Sequence, residues 1–281
     1  MNTTFALALP QLALIEVRGA DAEAFLQGQL SNDVRRLTVT HAQLSSFNSP
    51  KGRMLAVLHL LRAGDSILIE LHRSILEPTL KRLRLYVLRS KVTLAESASH
   101  AILGIAGPEA PAALAHVGLP VPGAPLECAW DGDRCVTRRL GSMPRYTVLE
   151  PAARAAELAT QLAAQAAAAG DEDWQRSEIE AGVPTVYPET QDHFVAQMCS
   201  LDSLGGISFD KGCYTGQEVV ARVHYRGAVK RHMSKVMAPQ TGLTPGSALE
   251  LPGGRSAEVV MAAPHPGGGS IALVVAEDPG R

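Results

Sequence analysis

The chain has 281 residues, of which 46% are hydrophobic and 19% charged. It is therefore long enough for about two or three ordinary domains, and its composition is that of a globular protein rather than a disordered one. Its net charge of -2 gives no global reason to expect nucleic acid or an anionic membrane as a partner, and without a long apolar run or a signal-peptide pattern we expect a cytoplasmic protein.

The first third of the chain predicts strands followed by helices. Alternating apolar residues over 5–17 indicate strand structure, and Asp21 is a candidate N-cap for a helix over 22–30. Two further alternating runs, 54–61 and 66–71, indicate a hairpin.

The next segment continues the alternation. An apolar stripe with helical spacing covers 75–87, where Pro78 fits only in the first turn. Strands are expected at 90–95 and 101–106, and a short helix over 108–117. This order of elements predicts an α+β domain of ferredoxin-like type. No glycine-rich phosphate loop follows any of these strands, so a nucleotide-binding function has no support.

The middle of the chain predicts a second hairpin. Asp131-Gly132 is a two-residue turn signal between 126–130 and 133–140. That register would place Cys128 directly opposite Cys135, which is within disulfide reach. The expected compartment favours two reduced thiols that fill one face of the sheet.

Two helices should follow this hairpin. An alanine-rich stretch over 151–169 predicts a helix on propensity alone, ending at Gly170. A second helix over 174–181 is expected to be capped by Asp173 or a neighbour and closed by Gly182.

The chain changes character beyond Lys235. Proline and glycine clusters separate short apolar runs such as 258–262 and 271–276. This pattern is typical of a small β-barrel, so we expect a domain boundary near Lys235.

The most specific pattern in the sequence lies within 204–232. Its core is the octet Lys211-Gly212-Cys213-Tyr214-Thr215-Gly216-Gln217-Glu218. Lys211 and a helix that begins near Gly216 would both favour the thiolate of Cys213. A lone cysteine is more often a small buried hydrophobe, so a reactive and a structural role both stay open. The other cysteines form no CxxC pair and have no metal-ligand spacing with histidine, so no metal site is predicted.

Together with the segments 219–222 and 225–231, the octet resembles the signature of the YgfZ family of folate-binding proteins. The segment 27–34, Gln-Gly-Gln-Leu-Ser-Asn-Asp-Val, is similar to a further patch of that family. The resemblance implies the fold of the aminomethyltransferase (T-protein) of the glycine cleavage system. It also implies tetrahydrofolate or a one-carbon derivative as cofactor, and iron-sulfur enzymes, such as those of tRNA modification, as partners.

The resemblance also implies roles for single residues. Cys213 becomes the functional thiol, and its motif residues are Lys211, Gly212, Tyr214, Gly216, Gln217 and Glu218. The segment 176–184 resembles the family's Glu-Ala-Gly patch, whose glutamate in the T-protein reads the pterin ring. A carboxylate suits that task because it can accept two N–H bonds from an aminopyrimidine edge. Glu180 is the matching residue, and its alternative role is a surface glutamate at a helix end.

One departure from the T-protein concerns its chemistry. In the aminomethyltransferases paired aspartates follow the turn that corresponds to 49–53, and here Ala56 and Val57 stand at the matching positions. Because no carboxylate remains there to handle the folate proton, we expect no classical aminomethyltransferase turnover. For Asn32 and Asp33 we expect local capping of a helix end and turn rather than ligand contact.

Two basic runs break the even charge balance. One lies within 73–91, and the other, within 211–235, includes Arg222 and Arg226. Each run is either an ordinary solvated face or an anion site, for a folate glutamate tail or for RNA phosphates. We take Arg222 and Arg226 as candidates for folate binding. Because aromatic residues do not interleave with these charges, we expect no direct nucleic acid binding.

These observations define one preferred interpretation and two alternatives. We expect an α+β platform of the T-protein type with a first subdomain from 1–50 plus 145–234, a ferredoxin-like subdomain over 51–144 and a β-barrel over 235–281. The preferred function is a tetrahydrofolate-binding accessory protein that supports assembly or repair of iron-sulfur cluster enzymes, with Cys213 as its working thiol. The alternatives are a folate-dependent C1 transferase and an RNA-binding module.

Overall fold

Three β-sheets and six α-helices make up the computed structural model, which describes residues 3–227 and 229–277. The strands are β1 (Phe5–Ala8), β2 (Leu12–Arg18), β3 (Gln43–Asn48), β4 (Met54–Ala63), β5 (Ser66–His72), β6 (Thr93–Ser97), β7 (His100–Ala106), β8 (Cys128–Asp131), β9 (Arg134–Arg138), β10 (Arg145–Pro151), β11 (Ala167–Ala168), β12 (Arg231–Ala238), β13 (Ala248–Leu251), β14 (Arg255–Pro264) and β15 (Ser270–Glu277). The helices are α1 (Ala22–Gln27), α2 (Leu76–Arg84), α3 (Ala110–His116), α4 (Ala155–Ala163), α5 (Asp171–Ala181) and α6 (Gln217–Arg226). Ala228 of the signature lies outside the described residues.

The first sheet has five antiparallel strands in the order β3-β4-β5-β2-β6. The predicted hairpin of β4 and β5 is confirmed, with Ala63 opposite Ser66 across the turn. Strand β4 is buried along most of its length, which explains its nearly continuous apolar sequence. The helix after this hairpin is also confirmed, since α2 packs against β2 and β6 with Pro78 in its first turn.

The second sheet has six strands in the order β11-β1-β7-β10-β9-β8. It is antiparallel except at its edge, where β11 runs parallel to β1. Helices α3 and α4 bury apolar residues on one face of this sheet, and α5 contacts the sheet through Trp174. The ring carbons of Trp174 would lie 2.7 Å from any Cβ at position 104, so only glycine fits in β7 at this contact.

The predicted register of the second hairpin is wrong. Asp131 pairs with Arg134, so that Cys128 lies opposite Thr137 and Cys135 opposite Trp130. The two loop residues are Gly132 and Asp133 rather than Asp131 and Gly132. Gly132 has a φ of 62°, and a two-residue turn with glycine at its first central position is a standard hairpin connection.

The alanine-rich helix is shorter than propensity predicts. Helix α4 covers nine residues, and Ala167 and Ala168 then pair with β1. The amide N–H of Ala167 donates to the carbonyl of Thr4, a sheet bond that a continuing helix would have prevented. Helix α5 begins directly after Gly170, whose N–H donates to the carboxylate of Asp173, and ends at Gly182 in the left-handed region as expected.

The C-terminal segment forms an open four-stranded antiparallel sheet, β12-β15-β14-β13, and no closed barrel is formed within the described residues. Strands β14 and β15 alternate apolar side chains between two cores. One core faces α5 and the five-stranded sheet, and the other lies on the opposite face of the C-terminal sheet. The expected barrel is therefore corrected to a sheet that uses both faces.

The predicted subdomain boundaries stay a prediction. Strands β4, β5 and β6 belong to the five-stranded sheet, whereas β7, β8 and β9 belong to the six-stranded one. The interval 51–144 thus contributes to both sheets. Within the described residues no helix is long and apolar enough to cross a membrane.

Candidate functional site

A cavity of about 240 Å³ lies where the three sheets meet around helix α5. Its wall contains residues from β2, β4, β5, α5, β14 and the segment after α5. The lining residues are Gln11, Leu12, Val57, His59, Glu70, Leu71, His72, Arg139, Asp171, Trp174, Gln175, Glu178, Val183, Pro184, Thr185, Tyr187 and Met261. Apolar and aromatic walls with a few polar groups are typical of a small-molecule site.

Four buried charges form a network at one side of this cavity. Arg139 donates to Glu70 over 2.7 Å and lies 3.5 Å from Glu178. Arg145 lies 3.2 Å from the same carboxylate of Glu178, donates to the carbonyl of Leu140 and stacks over Trp174. The two guanidinium groups balance the two carboxylates, which is what allows all four side chains to be buried.

The pKa of Glu70 and the pKa of Glu178 are shifted in opposite directions. Burial raises the pKa of Glu70, against the pull of Arg139. Burial acts in the same sense on Glu178, but Arg145 and Arg139 together hold its pKa below the usual range. Glu178 is therefore the carboxylate that stays ionised most readily and can accept hydrogen bonds from a ligand.

A histidine with an unpaired nitrogen completes the polar wall. His59 follows Val57 by two residues on β4, so both side chains point to the cavity. Its Nδ1 is buried and has no hydrogen-bond partner among the described residues. Burial, followed by the charges of Arg139 and Arg145, holds the pKa of His59 well below its usual range. The imidazole is thus neutral at physiological pH and offers a hydrogen bond to a bound molecule.

Ala56 and Val57, which stand at the positions of the acidic pair, are apolar residues and are both buried. Ala56 is fully buried on the core side of β4, and Val57 forms part of the cavity wall. Val57 therefore contacts whatever occupies the cavity without supplying a proton acceptor.

Glu180 does not line this cavity. Its exposed side chain pairs with Lys235 and borders a separate polar pocket beside Gly141 and Arg145. Two positions along a helix correspond to about 200°, so Glu178 and Glu180 point to nearly opposite sides of α5. The carboxylate of α5 that lines the cavity is Glu178, and the pterin-binding role of Glu180 stays a prediction.

The thiol of Cys213 is exposed, whereas Cys128, Cys135 and Cys199 are buried. Cys213 precedes the first residue of α6 by four positions and is not part of the cavity wall. The motif cysteine and the cavity are therefore two separate sites in the molecule.

Lys211 is anchored by backbone rather than by the thiol. Its ammonium donates to the carbonyls of Gln27 over 2.8 Å, Leu30 over 2.5 Å and Asn32 over 2.8 Å. It also lies 4.8 Å from the ring centre of Tyr214. Burial lowers the pKa of Lys211 to about 8. This side chain binds the end of helix α1 and the turn after it. The sequence predicted only an effect of Lys211 on the thiolate of Cys213, and not this anchoring role.

The remaining motif residues shape the start of α6. Gly216 has a φ of 80°, and a Cβ there would lie 2.4 Å from the carbonyl oxygen of Ser49. Gln217 accepts from the N–H of Tyr214, which is buried. Glu218 is exposed, and nothing in the structure explains Gly212. The motif therefore combines two anchors with an exposed thiol residue between them.

In the upstream patch Asp33 caps the adjacent turn as predicted, whereas the side-chain amide of Asn32 donates to distant segments. Asn32 donates to the carbonyls of Leu44 and Gly205, and the Asp33 side chain caps the turn that begins at Val34. Hydrogen bonding from Arg35 lowers the pKa of Asp33 to about 2.

Arg222 and Arg226 lie one turn apart on helix α6, and both are exposed. Neither lines the cavity. The turn over 49–53 connects the two regions, because a Cβ on Gly52 would lie 2.5 Å from the side chain of Val219. Strand β4 then runs from this turn to Val57 and His59, so one strand joins the start of α6 to the cavity.

The sequence analysis missed His59, Glu70, Arg139 and Glu178. The sequence held a signal for His59, Glu70 and Glu178, which each interrupt an apolar strand or helix face. A charged residue or histidine in such a place is rarely buried without a partner. Their convergence could not be read from the chain, because they come from β4, β5, the segment after β9, and α5.

The arrangement of three sheets around a central cavity is that of an aminomethyltransferase-like, T-protein fold. The glycine cleavage system aminomethyltransferase T of Bartonella henselae superposes with a TM-score of 0.82 over 98% of this chain and 79% of that chain, at 18% identity. At this identity the likeness concerns the fold.

Sequence comparison identifies the family. The chain is 36% identical over 246 residues to proteins of a Shigella sonnei strain and an Escherichia coli strain, both described as tRNA-modifying protein YgfZ. The alignment covers 88% of this chain and 73% of each relative. The chain therefore belongs to the YgfZ family, as its signature had indicated. No family model matches the sequence.

The neutral state of His59 predicts a pH dependence of stability. In the unfolded chain this imidazole binds a proton below about pH 6.5, whereas in the folded protein burial opposes protonation. The unfolded state thus binds more protons in acid, and the free energy of unfolding should fall as the pH drops from 7.5 to 5. The contribution reaches up to about 2 kcal/mol.

Urea unfolding of wild type and His59→Gln at several pH values measures this contribution. The difference in the free energy of unfolding between the two proteins should change with pH in the stated direction. His116→Gln is the matched control, because His116 is exposed at the end of α3. A pH-independent difference for His59→Gln would contradict the assignment.

Proposed function

We propose that this protein binds tetrahydrofolate or a one-carbon derivative in the central cavity and supports iron-sulfur enzymes of tRNA modification through the exposed thiol of Cys213. The observation that carries the folate assignment is the cavity itself, with Glu178 and the unpaired Nδ1 of His59 in its wall. Family membership supports the link to tRNA modification, since the relatives are described as tRNA-modifying proteins.

The cavity residues fit the ring system of a folate. An aminopyrimidine edge presents N–H donors, and the carboxylate of Glu178 can accept them. The ring nitrogens and the carbonyl of a pterin suit the imidazole of His59 and the amide of Gln175. Trp174 and Tyr187 supply aromatic walls. The volume of about 240 Å³ is below the range of about 300 to 1,000 Å³ for whole ligands, so the ring would be buried and the glutamate tail would extend outward.

Folate binding in this cavity would occur without aminomethyl transfer. Ala56 and Val57 offer no carboxylate, and the lowered pKa of His59 makes its imidazole a poor proton acceptor near neutral pH. Glu178 is engaged by two guanidinium groups, which disfavours its protonation. These residues support a binding or sensing role for folate, and they weigh against a C1 transferase.

Cys213 is proposed as the working thiol because it is presented on a rigid support. Lys211 is held by three carbonyls on one side and Tyr214 is buried on the other, which leaves the intervening thiol residue at the surface. A purely structural cysteine of this small size would be buried, as the other three cysteines are.

The folate site is tested by two glutamates on one helix. Glu178→Gln should weaken tetrahydrofolate binding by at least about tenfold, because a hydrogen bond to a charged group contributes about 1.5 to 3 kcal/mol. Glu180→Gln removes the same charge outside the cavity and should leave the affinity unchanged. Calorimetric titration of the three proteins gives the comparison. Equal affinity in wild type and Glu178→Gln, or a loss confined to Glu180→Gln, would contradict the proposed site.

A variant that keeps the charge network intact guards this test against misfolding. Val57→Phe enlarges a side chain of the cavity wall and should abolish binding by occupying the space of the ligand. Thermal melting of each variant shows whether the fold is retained. A folded Val57→Phe protein that binds tetrahydrofolate normally would place the ligand elsewhere.

The thiol is tested by labelling and by activity in cells. Cys213 should react with iodoacetamide much faster than the buried Cys128, Cys135 and Cys199, and mass spectrometry measures all four rates. Cys213→Ser should keep its melting temperature and folate affinity while losing support of iron-sulfur enzymes of tRNA modification. Retained support in cells, or a lost activity explained by a lower melting temperature, would leave Cys213 without a chemical role.

A further inference from the structure

His224 and Tyr225 of helix α6 form an aromatic cluster with Phe209, which lies before the helix in the sequence. The rings of Phe209 and His224 stack at 3.7 Å between centroids and 13° between planes. Tyr225 packs edge-on against both, at 4.7 Å from His224 and 6.4 Å from Phe209. Its side chain is nevertheless 65% exposed. The stacked pair thus fixes the position of a tyrosine ring that remains open to a partner.

Four exposed cations lie on helix α6 or on the segments next to it. Arg222 and Arg226 lie three residues before and one residue after Tyr225 on α6, and Lys230 follows the helix. Lys51 is exposed on the turn that packs against the first turn of α6. The exposed acids nearby are Asp210 and Glu218. The balance on this surface is therefore positive, although the chain as a whole has a net charge of -2.

The other basic run, within 73–91, lacks an exposed aromatic ring among its cations. Lys81 and Arg82 are exposed on α2. The large side chains exposed beside them are the aliphatic Leu85 and Leu88, whereas the ring of Tyr86 is half-buried against the core. Aliphatic groups cannot stack on bases as aromatic rings do. The two runs carry similar charge, so α2 provides an internal comparison for α6.

We infer that helix α6, with Tyr225, Arg222 and Arg226 on its surface, Lys230 after its end and Lys51 on the turn at its start, binds unpaired RNA. An accessible aromatic ring among cations matches the two groups that a single-stranded nucleic acid offers, a stackable base and a backbone phosphate. The inference departs from the sequence-based expectation of no direct nucleic acid binding, because Tyr225 stands between Arg222 and Arg226 and is exposed. It rests on the proposed function in tRNA modification and names RNA as a direct partner.

Fluorescence anisotropy with a labelled RNA stem-loop, and with the same stem lacking its unpaired loop, tests the inference on the full chain. The stem-loop should bind more tightly than the loopless stem, and its affinity should fall steeply with salt. Tyr225→Ala should weaken binding by about tenfold, whereas Tyr225→Phe should retain it, because stacking needs the ring and not the hydroxyl. The double variant Arg222→Gln with Arg226→Gln should lower the salt slope by about one to two.

A matched control removes the same charge elsewhere. The double variant Lys81→Gln with Arg82→Gln should bind the stem-loop as wild type does. Failure of wild type to bind at low salt, or a loss of affinity equal in the α2 and α6 double variants, would overturn the inference. So would an α6 double variant that loses affinity for polyglutamylated tetrahydrofolate and not for RNA.

The outcome is separate from that of the folate proposal. Calorimetry with monoglutamate tetrahydrofolate on wild type and Tyr225→Ala reports on the central cavity alone, since Tyr225 is not part of its wall. Folate binding without RNA binding would remove this inference and leave the folate site in place. RNA binding without folate binding would support this inference and remove the folate site.

Discussion

One ammonium group holds the cysteine motif in place. Lys211 donates to three backbone carbonyls of the segment 27–32, which is up to 184 residues earlier in the chain. Carbonyls at the end of a helix have no partner within it, and a buried cation supplies three donors at once. Hydrogen bonds to a charged group contribute about 1.5 to 3 kcal/mol each, so this contact can order the whole segment before α6. The exposure of Cys213 follows, because its neighbours Lys211 and Tyr214 are both buried.

The same contact connects the surface to the interior. Helix α6 begins directly after the motif and touches the turn over 49–53 through Val219 and Gly52. Strand β4 leads from that turn to Val57 and His59 in the cavity. Strand β4 and the turn over 49–53 therefore connect the cavity to the start of α6, which follows Cys213.

The buried charges beside the cavity weigh against acid–base catalysis there. Two guanidinium groups and two carboxylates form a neutral buried network, in which every charge has an opposite partner. Such a network is polar enough to orient a ring system, and Arg145 and Arg139 hold the pKa of Glu178 below its usual range against the effect of burial. General acid–base catalysis needs a pKa near the working pH, whereas burial and Arg139 move that of His59 away from it.

The sequence predicted the family, the fold class and most elements, because these depend on local patterns. The predicted strand over 54–61 forms most of β4, and Gly182 ends α5 as its position suggested. The hairpin register failed because Gly132 could stand at either central position of the turn, and only packing selects between them. The sequence predicted Glu180 as the pterin-binding carboxylate. The structure places Glu178 rather than Glu180 in the cavity wall, because which face of α5 is buried depends on what packs there.

The surface on α6 was missed for a related reason. Phe209 is fifteen positions before His224, and their stacking arises only when the motif folds back on the helix. Tyr225 stands between Arg222 and Arg226 in the sequence, but its exposure and the ring packing that positions it become visible only in the structure. Contacts between distant segments also hid the role of Lys211, whose partners precede it by most of the chain.

The central claim is that tetrahydrofolate occupies the cavity beside Trp174, and the fluorescence of that residue measures it directly. The chain has two tryptophans, so Trp130→Phe leaves Trp174 as the single reporter. Titration with tetrahydrofolate should quench its emission in a saturable way, with the same dissociation constant that calorimetry gives. Binding detected by calorimetry with no change in the emission of Trp174 would place the ligand outside the cavity and contradict the account.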